Sequence, residues 1–463
     1  FLPVVFLLFW LVFKPWHKLQ NLLLLVASYI FYGWWDYRFL FLIFISTLVD
    51  FIVGLFLEKE DKENARNILL WLSLSFNLGI LGVFKYYDFF LSTLISSFQE
   101  VGITLNIQSL NIILPVGISF YTFQTLSYTI DIWKRELKPT RSFINFAGFV
   151  SFFPQLVAGP IERASSLLPQ FSIHKKFDSN LAISGINLII WGLFKKVVIA
   201  DNAAVYTNAI FENYENHDSL TLILGAFYFA FQIYGDFSGY SDIAIGTGRL
   251  FGFRLMRNFN YPYFSRNISE FWKRWHISLS TWFRDYVYIP LGGSRMNNFY
   301  TIRNILVVFL VSGLWHGANW TFILWSGIHT FLFLPVFFLK NSNKKTSSDT
   351  DLSLKNLFKI VFTFSNVCFA WIFFRSDNIY QAFDYIKRLL QNMNFKIAYL
   401  SIERYNIELL GLILVFVTFE WFHRYEEHPF NGKFRIIKVI LVILLMLLMG
   451  KFFGYNEFIY FQF

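Results

Sequence analysis

Cysteine occurs once, at Cys368, so no disulfide can form within the chain and its stability must come from packing. Charge is scarce as well. Only 15% of residues are Asp, Glu, Lys or Arg, where a soluble domain carries about 25%. A chain of 463 residues with so little charge cannot cover its surface in water. That excludes a soluble enzyme, a disordered chain and a fibrous protein. Several chemical motifs are missing too. There is no Gly-rich phosphate loop, no cysteine-based metal site and no nucleophile elbow. No internal repeat is visible, so an inverted-repeat transporter gains no support.

What is present is apolar. Hydrophobic residues make up 56% of the chain and the mean hydropathy is +0.47. Phe (61), Tyr (24) and Trp (15) are abundant, and rings of the last two anchor at lipid headgroups or line pockets. The composition fits an all-α polytopic membrane protein. Its net charge of +10 is then read as cytoplasmic loops held against anionic lipid. No basic element stands apart from the membrane segments, so nucleic acid is not a partner.

Charge-free runs give the spans. They are Leu19–Trp35, Phe39–Leu57 (interrupted by Asp50), Asn67–Phe84, Val101–Ile130, Ser142–Ile161, Ser179–Phe194, Ser219–Gly235, Asn304–Leu339, Ile360–Phe374, Leu409–Phe419 and Val439–Gly450. With roughly 20 residues needed per span, this predicts about 11 to 13 crossings or half-crossings. The opening run Phe1–Phe13 has no basic stretch before it and no small-residue cleavage site after it. It reads as a first helix missing some residues rather than a signal peptide. The whole chain, 1–463, is read as a single membrane domain. Residues 341–359 are rich in Lys, Ser, Thr and Asn and predict an exposed linker. Residues 254–303 carry eight basic and two acidic side chains and predict a cytoplasmic or re-entrant segment.

Asn304–Leu339 is too long for one crossing. As one helix it would extend about 54 Å, against a hydrocarbon core of about 30 Å. The predicted break is Ser312–Asn319, with two glycines and the side chains of His316 and Asn319. Broken backbone at membrane depth must be surrounded by protein or line a cavity, which places a cavity at His316. A structural histidine bonded to a freed carbonyl is the alternative. His329 follows 13 residues later, about 220° round a continuous helix, so the two should not share a face. No acid or thiol stands beside them, and no metal site is expected. Ser269–Tyr286 reads as one amphipathic helix. Phe271, Trp275, Leu279, Trp282 and Tyr286 form its apolar stripe, and Lys273, His276, Ser280 and Arg284 its polar stripe. Such a helix lies on the membrane surface or lines a cavity. Asp236 and Asp242 lie in an apolar neighbourhood, where acids serve transport or pair with basic groups.

Six longer segments carry a resemblance: Leu114–Asp131, FFPQLVAGPIER (Phe152–Arg163), Gln232–Phe253, Asn258–Gly293, Ser312–His329 and Phe369–Arg375. In order and over nearly the whole chain they resemble the membrane-bound O-acyltransferases, most closely the bacterial branch typified by the membrane subunit of alginate O-acetylation. Gly235 departs from that pattern, where a larger and often aromatic residue is expected. The resemblance implies a ring of tilted helices round a central funnel. It implies two marker histidines, matched by His316 in WHGA and by His276 in the FW-x3-H segment, and a channel lined by Trp272, Trp315, Asn319 and Asp236.

It further implies acyl transfer to a hydroxyl with no permanently bound cofactor. His316 would act as general base, and His276 would orient the donor or stabilise the oxyanion. Acetyl-CoA, or an acyl-carrier thioester, would be the donor. Lys273, Arg274 and Arg284 would draw its phosphates, or an acidic carrier, by charge. Further expectations are the bacterial inner membrane, a cell-surface polysaccharide acceptor and a periplasmic acetyltransferase partner. Three rivals remain: D-alanyl transfer to teichoic acid from a carrier protein, a lipid acyltransferase, and a transporter or flippase using Asp50, Asp236 and Asp242.

Overall fold

The computed structural model describes residues 1–110, 112–157, 159–342, 353–391, 404–452 and 458–459. Regular structure among them is helical throughout. Among the described residues, seven helical segments are long and apolar enough to cross a membrane: Tyr37–Lys59, Glu63–Glu100, Ser179–Glu212, Ser219–Leu250, Asn298–His316, Trp320–Leu339 and Leu354–Arg375. Leu2–Val12, Phe143–Leu156 and Leu409–Phe422 are shorter apolar helices. The chain is a multi-pass, all-α membrane protein. The higher number of spans read from sequence includes these shorter pieces. Among the described residues of the run Val101–Ile130, the helical part is that from Ile118, in the helix Ile118–Trp133. Of the expected linker 341–359, residues 343–352 lie outside the described residues. Leu354 already begins the helix Leu354–Arg375, capped by the Ser353 hydroxyl, which accepts from Asn356 N–H at 3.2 Å.

The chain divides into two compact units, Phe1–Ile186 with Ala244–Met256, and Asn187–Ile243 with Arg257–Phe463. In the first unit, polar side chains on apolar helices are satisfied by each other. Asp50 is buried and accepts from Ser73, from Asn77 at 2.8 Å and from Thr129 at 3.1 Å. Arg66 spreads its guanidinium over the carbonyls of Leu57, Ile132 (2.9 Å) and Trp133 (2.7 Å), which closes helix ends that have no internal partner. Glu162 is buried and accepts from Met256 N–H at 2.5 Å. Burial pushes its carboxyl up to about 7.

The helix Ser179–Phe194, which belongs to the second unit from Asn187 on, continues through a π-helical stretch, Lys195–Ala200, into Asp201–Glu212. Lys195 pairs with Asp242 at 2.7 Å, and Lys196 pairs with both Asp236 (2.7 Å) and Asp201 (2.9 Å). Asp236 also accepts from Ile459 N–H at 2.7 Å. A side chain at Gly235 would stand 2.9 Å from the Lys195 carbonyl. Its small size is what lets the lysine-bearing stretch lie against the acid-bearing helix.

Candidate active site

The site residues sit on four elements of the second unit: Ile268–Arg274, Ile277–Phe283, Asn298–His316 and Trp320–Ser342. The long apolar run does break. One helix ends at His316, Gly317 is extended, and the next begins at Trp320. Asn319 holds the turn. Its side-chain oxygen accepts from Thr321 N–H at 3.0 Å and its amide donates to the Asp377 carbonyl at 2.8 Å. Gly313 and Gly317 stand four apart, a small-residue pair that permits close helix approach. A Cβ on Gly313 would lie 2.5 Å from the Phe322 carbonyl, and one on Gly317 would run into the Phe322 ring.

The continuous helix expected over Ser269–Tyr286 is not observed. It stops at Arg274 and restarts at Ile277, with His276 between them in the left-handed region at φ 45°. The reason is a competing set of hydrogen bonds to residues 258–260. Asn260 N–H donates to the Arg274 carbonyl at 2.9 Å and Ile277 N–H to the Asn258 carbonyl at 2.8 Å. The kink dissolves the two stripes, which assumed one unbroken helix. It sends His276 into the interior, where the side chain is completely buried. A non-glycine residue in this conformation costs on the order of 1–3 kcal/mol and persists only where its surroundings impose it.

Asn258 fixes the ring. Its side-chain oxygen accepts from Ser278 N–H at 3.3 Å and from the Ser278 hydroxyl at 2.9 Å, so it is the oxygen that faces His276 Nδ1 at 3.1 Å. Nδ1 therefore carries the proton and Nε2 presents a lone pair. Nε2 is buried and meets no hydrogen-bond partner among the described residues. Burial lowers the imidazole to about 3, so the ring is neutral.

His316 is 4% exposed and its ring centre lies 6.4 Å from that of His276. Trp315, Trp325 and Phe374 surround it edge-on at 5.1, 5.2 and 5.5 Å. The two marker histidines are thus brought together by three helix ends. His329 joins them by a route the sequence reading excluded. Because the run breaks, the 220° separation along one helix does not apply, and the Trp325 ring contacts both His316 (5.2 Å) and His329 (4.9 Å). His329 is fully buried, stacked on Phe271 and edge-on to Trp272 at 5.0 Å. Neither of its ring nitrogens, nor the indole N–H of Trp272 or Trp325, finds a partner among the described residues. Buried polar groups rarely lack partners. A cluster of them aimed inward is a place for water or for a polar substrate group. The signal that could have found His329 is its spacing of four from Trp325, just past a predicted break.

The other expected residues separate. Trp272 and Arg284 line one cavity of about 210 Å3, together with Ser280 and Ser312. Ser312 stands one turn before His316 on the same helix. Arg284 pairs with Asp285 at 2.6 Å. Arg274 points elsewhere, to Glu270 at 2.6 Å. Lys273 is exposed. Asp236 is held by Lys196, and its neighbour Phe237 is the residue that meets His276, ring to ring at 4.7 Å. Among the described residues no group of three His, Cys, Asp or Glu is placed to hold a metal ion.

A helical membrane protein with paired buried imidazoles has parts that suit acyl transfer by acid–base catalysis. The sequence profile of the membrane-bound O-acyltransferase family matches residues 29–375, and the chain belongs to that family. It is an O-acyltransferase. The probable alginate O-acetylase of Pseudomonas putida is 38% identical over 91% of this chain and 85% of its own length. The peptidoglycan O-acetyltransferase of Helicobacter pylori is 34% identical over 87% of this chain and 80% of its own. The teichoic acid D-alanyltransferase of Bacillus subtilis is 29% identical over 57% of this chain and 69% of its own.

Proposed function

We propose that the protein takes an acetyl group from acetyl-CoA at the cytoplasmic face of the bacterial inner membrane and delivers it for O-acetylation of an exported cell-surface polysaccharide. The observation that carries this reading is the buried His276–His316 pair, 6.4 Å between ring centres, in a chain similar to acetylases of two different glycans. His316 takes the proton of the acceptor hydroxyl as its oxygen attacks the thioester carbonyl. The new C–O bond forms, the C–S bond breaks, and the departing thiolate receives the proton from His316. His276 works through its Nε2 lone pair. With Nδ1–H committed to Asn258, it accepts a hydrogen bond from a neighbouring hydroxyl of the acceptor and so aims the attacking one, whose own proton goes to His316. It has no N–H to offer an oxyanion, so that role falls to the indole N–H groups of Trp325 and Trp272. Arg284, at the cavity that reaches Ser312, meets the donor's phosphates. A periplasmic acetyltransferase partner completes delivery to the polysaccharide.

The test supplies purified protein in lipid nanodiscs with labelled acetyl-CoA, or with an aminoacylated carrier protein, and follows release of free thiol. Turnover of acetyl-CoA alone supports the proposal. Turnover only of the carrier-bound donor favours D-alanyl transfer, the reading to which the Bacillus relative points.

A further inference from the structure

An apolar groove runs down the second unit between Leu354–Arg375 and the helix ending at Phe422. Its cavity is about 690 Å3, within the roughly 300–1,000 Å3 typical of sites for small molecules. Ile360 and Phe364 line one wall, and Leu410, Leu414, Val417 and Trp421 the other. The second set recurs at helical spacing over 11 residues, so the groove is about 16 Å long at 1.5 Å per residue. That is close to one leaflet, half of a hydrocarbon core of about 30 Å. Leu414 on its rim is 68% exposed, a solvation suited to lipid.

One end of the groove is not apolar. Ile360, Trp421 and Phe264 also line a second, polar pocket of about 130 Å3, whose charged residues are Arg266, Arg274, Arg424 and Glu270. Arg266 and Arg274 share Glu270 between them at 3.1 and 2.6 Å. Burial alone would raise that carboxyl, but the hydrogen bonds and charges of the two arginines outweigh it and hold it below its ordinary value. Three guanidinium groups against one ionised carboxylate leave the pocket net positive. Arg424 lies over Trp421 at 4.2 Å and Tyr425 at 4.6 Å, a placement that holds its charge at the pocket.

We propose that groove and pocket together form a binding site for one anionic phospholipid, its acyl chain between the two helices and its phosphate on the arginines around Arg424. The length of one leaflet, the apolar walls and the positive charge at one end match such a molecule in order. A zwitterionic lipid would bring its own cation to a pocket already positive. Soluble coenzyme A has the phosphates but nothing to fill the groove. Neither marker histidine lines the groove or the pocket.

Native mass spectrometry of the whole chain, delipidated and titrated with phosphatidylglycerol or phosphatidylcholine of the same chains, reads the binding. One phosphatidylglycerol should bind at least tenfold more tightly than phosphatidylcholine. Arg424→Gln and the groove-filling Val417→Trp should each remove that preference, while Arg38→Ala, at an exposed ion pair elsewhere, should not. Should a variant fail to fold, a photoactivatable phosphatidylglycerol on the wild-type chain serves instead, and its label should fall on Phe364, Leu414 or Val417. Equal binding of the two lipids, full binding by both variants, label outside the groove, or displacement of the lipid by coenzyme A would each overturn the proposal.

Discussion

Three imidazoles meet at the candidate site, and each answers to a different neighbour. His316 stands among aromatic rings at a helix end, His276 is oriented by Asn258, and His329 is stacked on Phe271. Asn258→Ala removes the acceptor that sets the His276 tautomer and leaves buried Nδ1–H only the more distant Ser278 hydroxyl, at 3.4 Å. The expected cost is about 1–3 kcal/mol of stability and roughly a tenfold or greater loss of turnover, read by thermal unfolding and by thiol release. His276 also gives a pH dependence. An unfolded imidazole takes a proton below about 6.5, while the buried ring resists until about 3. The unfolded state therefore binds more protons in that window, and stability should fall as pH drops from about 6.5 toward 3. His276→Phe should flatten that slope in a melting-temperature series. The sequence marked His316 through the expected helix break, and marked both His316 and His276 through the resemblance to the family's marker segments. It could not mark Asn258 as the residue that aims His276, because that contact depends on a kink no periodicity encodes. It set His329 aside because the angle was computed along a helix that does not exist as one piece.

At the level of elements, the reading from charge-free runs was accurate wherever one helix fills one run. Tyr37–Lys59 covers Phe39–Leu57, and the break inside Asn304–Leu339 falls within the eight residues expected. It failed at Ser269–Tyr286, where amphipathic spacing suited a helix but backbone hydrogen bonds to Asn258 and Asn260 won locally. Helical periodicity reports which face is apolar, not whether a competing strand of polar backbone lies alongside. The crossing at Gly313 offers a check. Gly313→Ala places a methyl group against the Phe322 carbonyl and Ser326. Overpacking of that kind costs about 1–3 kcal/mol, so the variant should melt several degrees lower in detergent. An equal change at Gly327, where nothing lies within 4 Å of a new Cβ, should leave the melting temperature unmoved.

For the molecule as a whole, the transporter reading rested on acids at membrane depth, and each of those acids is occupied. Asp50 is enclosed by hydroxyl and amide donors, and Asp236 and Asp242 are paired with Lys196 and Lys195. Pairing explains why the chain tolerates them without invoking an ion path. Lys196→Met would remove the cation that Asp201 and Asp236 share, and breaking a buried pair costs about 3–5 kcal/mol. The variant should lose thermal stability, yet keep turnover within about threefold per folded molecule, since Lys196 touches neither histidine. Composition alone excluded a soluble fold, and the ordered motifs carried the family. The donor came only from the resemblance, and the particular acceptor glycan was not legible, because a glycan is recognised by a cavity and a cavity is assembled from helices far apart in sequence.

The most direct test of the account compares wild type, His316→Ala and His329→Ala in nanodiscs, each verified as folded, for release of free thiol from labelled acetyl-CoA. The account predicts that His316→Ala loses about 10²–10⁴-fold, the range of a general base. It predicts a smaller loss for His329→Ala, which meets His316 through the Trp325 ring. Turnover by His316→Ala at the wild-type rate would contradict the account, because the helix break at His316 would then be structure and not catalysis.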